Sequence, residues 1–220
     1  MRMKLIACRV MIEEMRRFLP AGIEAEVFEI SQHVRPKLLK AELQAAVDRA
    51  DGTCDVILLG YGLCSNAVVG LIAQKSRIVI PRIHDCIGVF LGSHSAYLAE
   101  MDREPAYFLT QGYIRGFQRD HSGPMSEFDT FAKRFGPEKA ERLVCEMMRP
   151  YKRLVYLRTS EANDLDADRE YSQAFAERFH MRYEEKAASS ELLRRMAQQE
   201  WDRDFVVVEP GQAVALEQFM

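Results

Sequence analysis

Ile57-Leu58-Leu59-Gly60-Tyr61-Gly62-Leu63-Cys64 decides the reading of the fold: an uncharged apolar run that ends in two spaced glycines and a cysteine. A strand with one wet face alternates apolar and polar residues, whereas a strand covered on both faces reads as continuous aliphatic sequence. The glycines mark where the chain leaves that strand in a tight turn. Similar runs stand at Lys4-Leu5-Ile6-Ala7-Cys8 and Ile78-Val79-Ile80-Pro81. Working outward, strands are expected near 3–8, 24–30, 55–60, 77–81, 106–110, 153–158, 181–185 and 204–208. Helices are expected near 10–19, 36–50, 65–74, 86–101, 125–150, 165–179 and 189–202. Pro36 suits a first helical turn, and Ser65-Asn66 and Ser189-Ser190 are good helix-start residues. The alternation predicts an α/β protein with a mainly parallel, doubly wound sheet, Rossmann- or flavodoxin-like, with two βαβαβ units facing a cleft.

The two-unit reading rests on spacing. Lys4-Leu5-Ile6 and Asp55-Val56-Ile57 open strands 51 residues apart, and Arg153-Leu154-Val155 and Asp204-Phe205-Val206 repeat that interval. Residues 1–110 then form a βαβ unit carrying the cysteines and histidines. Residues 111–150, punctuated by Gly112, Gly116, Gly123-Pro124 and Gly136-Pro137, form a helical insertion or bridge. Residues 151–220 form a second, smaller βαβαβ unit that covers the cluster without supplying a ligand, since the last cysteine is Cys145. Arg158, Thr159 and Glu209, after its strands, are candidates for substrate contact.

The chain has 220 residues, 48% of them hydrophobic, and a formal net charge of -3, which offers nucleic acid no basic footprint. No apolar stretch reaches membrane-spanning length, and the chain enters its first strand without a leader, so a cytoplasmic protein is expected. Five cysteines, an odd number, suggest metal binding, catalysis or core packing rather than a disulfide framework.

Their placement points to a site. Cys8 ends the first strand, His33 follows the second, Cys64 the third, and His84-Asp85-Cys86 the fourth. Open α/β sheets bind ligands at the carboxyl ends of their strands, and the strand order 2-1-3-4 brings Cys8, Cys64 and Cys86 together. Three thiolates plus an imidazole make a tetrahedral zinc site, with His84 or His33 as the fourth ligand. Three thiolates alone leave a position open for substrate, and the same residues could hold an iron–sulfur cluster. His33, His84 and Asp85 are the catalytic candidates, the imidazoles as bases and Asp85 as their orienting carboxylate. Tyr61 and Asn66 in the glycine-rich loop, with Arg35 and Arg82, are candidates for binding substrate, the arginines through a carboxylate or phosphate. Each residue also has a plainer reading: packing for a buried cysteine, a tight turn for the glycines, exposure for the arginines. Cys54 and Cys145 read as structural, and His94, His121 and His180 as surface or helix residues.

Leu5-Ile6-Ala7-Cys8, His33-Val34-Arg35-Pro36, the Gly60–Asn66 loop and Pro81-Arg82-Ile83-His84-Asp85-Cys86 with Leu91-Gly92-Ser93 also carry a resemblance. So do Phe108–Tyr113 and Phe205–Gly211. Together they resemble the prokaryotic family catalogued as domain of unknown function 1638, across nearly the whole chain. This sequence departs from that pattern with Ser65 where a glycine is usual and Gln111 where a proline is expected. The resemblance implies a neighbourhood of corrinoid-dependent methyltransferases, hence one-carbon metabolism and a corrinoid or methyltransferase protein as partner. The expectation is a metal-dependent enzyme, with zinc at Cys8, Cys64, Cys86 and His84, that activates a small-molecule thiol or transfers a methyl group. The alternatives are a non-enzymatic metal or corrinoid accessory protein, and an iron–sulfur protein.

Overall fold

In the computed structural model, which describes residues 1–121, 123–159 and 165–220, the aliphatic runs become two sheets. In the first, β1 (Met3–Cys8), β2 (Glu24–Phe28), β3 (Val56–Gly60) and β4 (Arg77–Pro81) pair in parallel in the order β2-β1-β3-β4. A late strand, Phe205–Val208, closes the β4 edge antiparallel, with Ile78 opposite Val208. All of β3 is buried, as its uninterrupted apolar sequence requires. Gly60 is needed where β3 crosses β1: a Cβ there would lie 2.6 Å from that of Ala7.

Four helices belong to this first unit: α1 (Arg9–Met15), α2 (Pro36–Ala50), α3 (Cys86–Leu91) and a late one over Glu191–Ala197. α2 buries Leu39, Leu43, Ala46, Val47 and Ala50, one apolar stripe at helical spacing. Helical sequence from 86 to 101 divides at Gly92, whose φ of 92° ends α3 in a left-handed cap, and α4 (His94–Met101) follows.

The second sheet is parallel throughout: β5 (Ala106–Thr110), β6 (Arg153–Arg158) and β7 (Arg182–Ala187), in that order. Between β5 and β6 run α5 (Gln111–Asp120), α6 (Pro124–Phe135) and α7 (Pro137–Met148), and α8 (Leu165–Arg178) precedes β7. Leu109, Ile114, Val144, Leu154, Tyr156, Phe175 and Phe179 form its core. The late helix Glu191–Ala197 is α9 and the late strand Phe205–Val208 is β8 in chain order.

The chain divides into one unit of Met1–Tyr97 with Ser189–Met220 and another of Leu98–Ala188. Residues 151–220 are therefore not a second βαβαβ unit. β8 bonds to β4, so the end of the chain completes the first sheet, and the 51-residue echo joins strands in non-equivalent positions. Residues 111–150 are not a bridge between units either, since α5, α6 and α7 lie within the second one. The helix expected over 65–74 is replaced by turns and an isolated bridge from Ile72 to Ala213. The physical reason is local. Cys64, Ser65 and Asn66 all take left-handed φ values, 44°, 57° and 64°, so the would-be cap residues cannot start a right-handed helix.

Candidate functional site

Among the described residues, Cys64-Ser65-Asn66 is the one run of three consecutive non-glycine residues with left-handed φ. Three consecutive non-glycine residues in this region carry strain that the surroundings must hold in place. The chain leaving β3 is tied to the chain leaving β4: Leu63 N–H donates to Ile83 O and Cys64 N–H to His84 O, both at 3.0 Å. Gly62 permits that approach, because a Cβ would stand 2.8 Å from Ile83 O and 2.9 Å from Asp85 N. Cys64 is thereby fastened beside His84-Asp85-Cys86, while Ser65 and Asn66 point into solvent.

The three cysteines at this edge all lie within electrostatic reach of Tyr61. Cys8 ends β1, Cys86 opens α3, and both are buried, as is Cys64. Burial, followed by the charges of Cys8, Cys64, Cys86 and Glu42, pushes the Tyr61 hydroxyl far above the ordinary range. That hydroxyl is enclosed and has no hydrogen-bond partner. Burial and the neighbouring Cys8 also push the Cys64 thiol up, against the N–H groups of Gly62 and Cys86, which favour its thiolate. The environment thus favours the protonated Cys64 thiol.

His33 sits in a short 3₁₀ turn, Ile30–Val34, after β2. Its ring stacks on Tyr61 with centroids 5.9 Å apart, and its Nδ1 lies 3.1 Å from Ile30 O. Nδ1–H donating to that carbonyl leaves Nε2 as an acceptor. Burial lowers the His33 pKa, which favours the neutral ring. Beside it, Gln32 donates its amide to Glu42, while its own Oε1 is enclosed without a partner.

Asp85 is occupied as a helix cap. Oδ1 accepts from Ile87 and Gly88 N–H, and Oδ2 accepts from the Tyr97 hydroxyl at 3.1 Å. Burial nevertheless raises its pKa, with those hydrogen bonds opposing. His84, half-buried, meets the His94 ring at 4.7 Å and the Tyr97 ring at 5.9 Å.

The substrate candidates divide. Tyr61 faces the thiols, Asn66 and Arg35 are exposed, and Arg82 is half-buried with an enclosed Nε lacking a partner. Cys54 lies elsewhere, its thiol 3.6 Å from Ala50 O, and Cys145 is exposed on α7. Glu209 pairs with Arg77 in the first unit, and Arg158 pairs with Glu185 in the second.

Sequence reasoning missed Arg9, Glu29, Gln32, His94 and Tyr97. Arg9 holds Glu29 through Nη2 at 2.6 Å and Nε at 3.1 Å, tying the end of β1 to the end of β2. Only position could have marked Arg9: it directly follows Cys8. A cavity of about 380 Å³ opens at the amino end of β1, lined in part by Arg2, Lys4, Gly22, Glu24 and Cys54. It is roomy and its lining includes Cys54, Lys4 and Glu24, but open α/β sheets bind ligands at the carboxyl ends of their strands, which makes that edge the better candidate. Among the described residues, no group of three or more His, Cys, Asp or Glu is already placed to hold a metal ion. Among them, too, no helix is long and apolar enough to cross a membrane.

The family described as "Protein of unknown function (DUF1638)" matches residues 27–197. No curated protein and no solved structure matches the chain significantly.

Proposed function

The chain belongs to the DUF1638 family, and from that premise we propose that its first unit is a small-molecule enzyme site built on Cys8, Cys64 and Cys86, which take zinc as a soft-metal centre. One observation carries the reading: three thiols at the ends of three neighbouring strands all act electrostatically on one unpartnered, buried tyrosine hydroxyl. The β2-β1-β3-β4 order supports reading this unit as flavodoxin-like, with ligands at the carboxyl edge. The three sulfurs are not already placed to share an ion, so binding would have to draw them to roughly 2.3 Å from it as their protons leave.

A metal in this place would act as a Lewis acid that lowers the pKa of a substrate thiol. The chain's own residues do the rest. His33, neutral and with Nε2 free of its Ile30 contact, accepts the substrate proton. Tyr61 donates a hydrogen bond toward the same space, and Arg82 is the cation best placed to meet an acidic substituent. Asp85 does no proton transfer; it holds the helix that presents Cys86. The resulting nucleophile suits alkyl transfer, with methyl as the group that the family resemblance brings to mind.

Metal analysis of anaerobically purified protein tests this reading. Zinc should be stoichiometric in the wild type and in Cys145→Ser, and largely lost from Cys64→Ser, because a hydroxyl is a poor soft-metal ligand. Equal metal content in the two variants would overturn the assignment. A brown, iron-containing protein would move it to an iron–sulfur site.

A further inference from the structure

The second sheet has a carboxyl edge of its own, and buried polar residues crowd there. Apart from tyrosines and cysteines, nine polar residues are buried among the described residues. Five of them, Thr110, Gln111, Thr159, Asp168 and Ser172, stand at the ends of β5 and β6 or on α8, which packs over β6 and β7. Two are accounted for by the helices. Thr110 Oγ1 accepts from Tyr113 N–H at the start of α5, and Ser172 Oγ donates to the Asp168 carbonyl at 2.7 Å.

Asp168 breaks a pattern. α8 turns Phe175, Ala176 and Phe179 into the core, and the same stripe continued toward its start passes through Ser172 and Asp168. Packing alone would place apolar side chains there. Asp168 is only 8% exposed, and its one side-chain hydrogen bond among the described residues comes from a neutral group, Gln111 Nε2, which donates to Oδ2 at 2.8 Å. The arginines of this edge are committed to Glu185: Arg169 donates to both its oxygens, at 2.7 and 3.0 Å, and Arg158 reaches it at 3.4 Å. A buried carboxylate without a countercharge is costly, and a cation offsets that cost. Tyr156 adds an independent observation. It is fully buried on β6, and its hydroxyl is enclosed without a hydrogen-bond partner. Burial, followed by the charge of Asp168, pushes that hydroxyl up to about 12, so Asp168 is the charge that acts on it most strongly.

We propose that Asp168, Gln111 and Tyr156 form a binding site for a small organic ammonium ion, a molecule bearing a primary amine, at the carboxyl edge of the second sheet. This edge is short of positive charge and of N–H donors, and a primary ammonium brings one charge and three N–H groups. The ammonium takes the place of the Gln111 amide at the Asp168 carboxylate. The displaced Gln111 side chain accepts through its Oε1, and Tyr156 Oη accepts a further N–H. All three residues belong to the second unit, so the site depends on nothing at the cysteine edge.

Titration of isotope-labelled protein with ethylammonium chloride tests the site, with potassium chloride at the same ionic strength as the control. The Gln111 side-chain amide gives a pair of cross-peaks in the proton–nitrogen correlation spectrum, identified by their absence from Gln111→Ala. Ethylammonium should move them to saturation while potassium leaves them in place. Asp168→Asn keeps the size of the side chain and removes its charge. It should weaken binding about tenfold or more, the loss expected of a charged hydrogen bond. Tyr156→Phe should weaken it about fivefold, the loss expected of a neutral one. The backbone cross-peaks of both variants check that they remain folded. Wild-type Gln111 cross-peaks that move no further with ethylammonium than with potassium would overturn the proposal, and so would undiminished affinity in either variant.

Discussion

Both units enclose polar groups without partners, Tyr156 Oη in the second among them, and they differ in what stands beside those groups. In the first, polar groups at the carboxyl edge of the sheet are left short of partners: the Tyr61 hydroxyl, Gln32 Oε1, Arg82 Nε and His94 Nδ1. In the second, a buried ion network is saturated. Arg153 is fully buried and bonds Glu100 through its carboxylate and its backbone carbonyl, Glu184 at 3.1 Å and the carbonyl of Glu104 at 3.0 Å. Lys186 reaches the other oxygen of Glu100 at 2.8 Å. Satisfied buried charge is architecture. Unsatisfied polarity next to thiols and a strained loop is what the proposed site would use.

The largest effect expected from this contrast is in the second unit. Arg153→Met removes the buried partner of the Glu100 carboxylate, only 4% exposed, and leaves it Lys186 and Arg103; it should destabilise the protein by about 3 kcal/mol. Cys64→Ser should cost well under half of that in the same urea titration. Similar losses in the two variants would erase the distinction between architecture and site.

Acid should separate the units in the same direction. Burial would raise the Glu100 pKa, but hydrogen bonds and charge from Lys186 and Arg153 prevail and hold it down to about 2, against an ordinary value of 4.5. A depressed carboxylate stabilises the fold above its unfolded pKa and loses that contribution as pH falls through the folded one. Stability on the order of 2–3 kcal/mol should thus disappear between pH 4.5 and about 2. Glu100→Gln should flatten that part of a stability–pH curve. A curve as steep as that of the wild type would assign the acid loss to other carboxylates.

Gly62 offers a smaller effect with a sharper address. Gly62→Ala puts a Cβ against Ile83 O and Asp85 N, both rigid backbone atoms. It should cost about 1–3 kcal/mol, as overpacked positions do, and should weaken metal binding more than Cys145→Ser does. Unchanged binding with lowered stability would mean that the contact between the loop and His84 serves the fold alone.

The sheets were legible because aliphatic runs such as Ile57–Leu59 and Ile78–Ile80 have few alternatives to a buried strand. The placement of Cys8, Cys64 and Cys86 at the carboxyl ends of strands in one sheet followed from the same reasoning. Other features left no such trace. Phe205-Val206-Val207-Val208 looks the same whether it pairs parallel or antiparallel, so its return to β4 was hidden, and with it the unit boundary. Helix breaks at Gly92 and Gly136 depend on φ values of 92° and 83°, which a glycine permits but does not announce. α5 was read as part of a bridge because Gly112 and Gly116 resemble punctuation, although Thr110 caps it through Tyr113 N–H. Arg153 reads as an ordinary strand opening, since a charge buried by partners 31 to 53 residues away has no local signature.

The smallest effect tests the strained loop itself. Ser65 holds a φ of 57° between two other left-handed residues while its side chain lies exposed, so it contributes no packing that would justify the strain. A glycine adopts this conformation without steric penalty but loses more entropy on folding. Relief of left-handed strain, on the order of 1 kcal/mol, should outweigh that loss slightly. Ser65→Gly should therefore stabilise the protein by a few tenths of a kcal/mol in urea unfolding. The informative quantity is the metal affinity measured beside it. If the backbone at 64–66 is held so that Cys64 faces Cys8 and Cys86, a looser loop should bind cobalt(II) more weakly even as the fold gains stability. A variant that gains in both would show that the left-handed run is a packing compromise and that Cys64 is positioned by its ties to His84 and Cys86 alone.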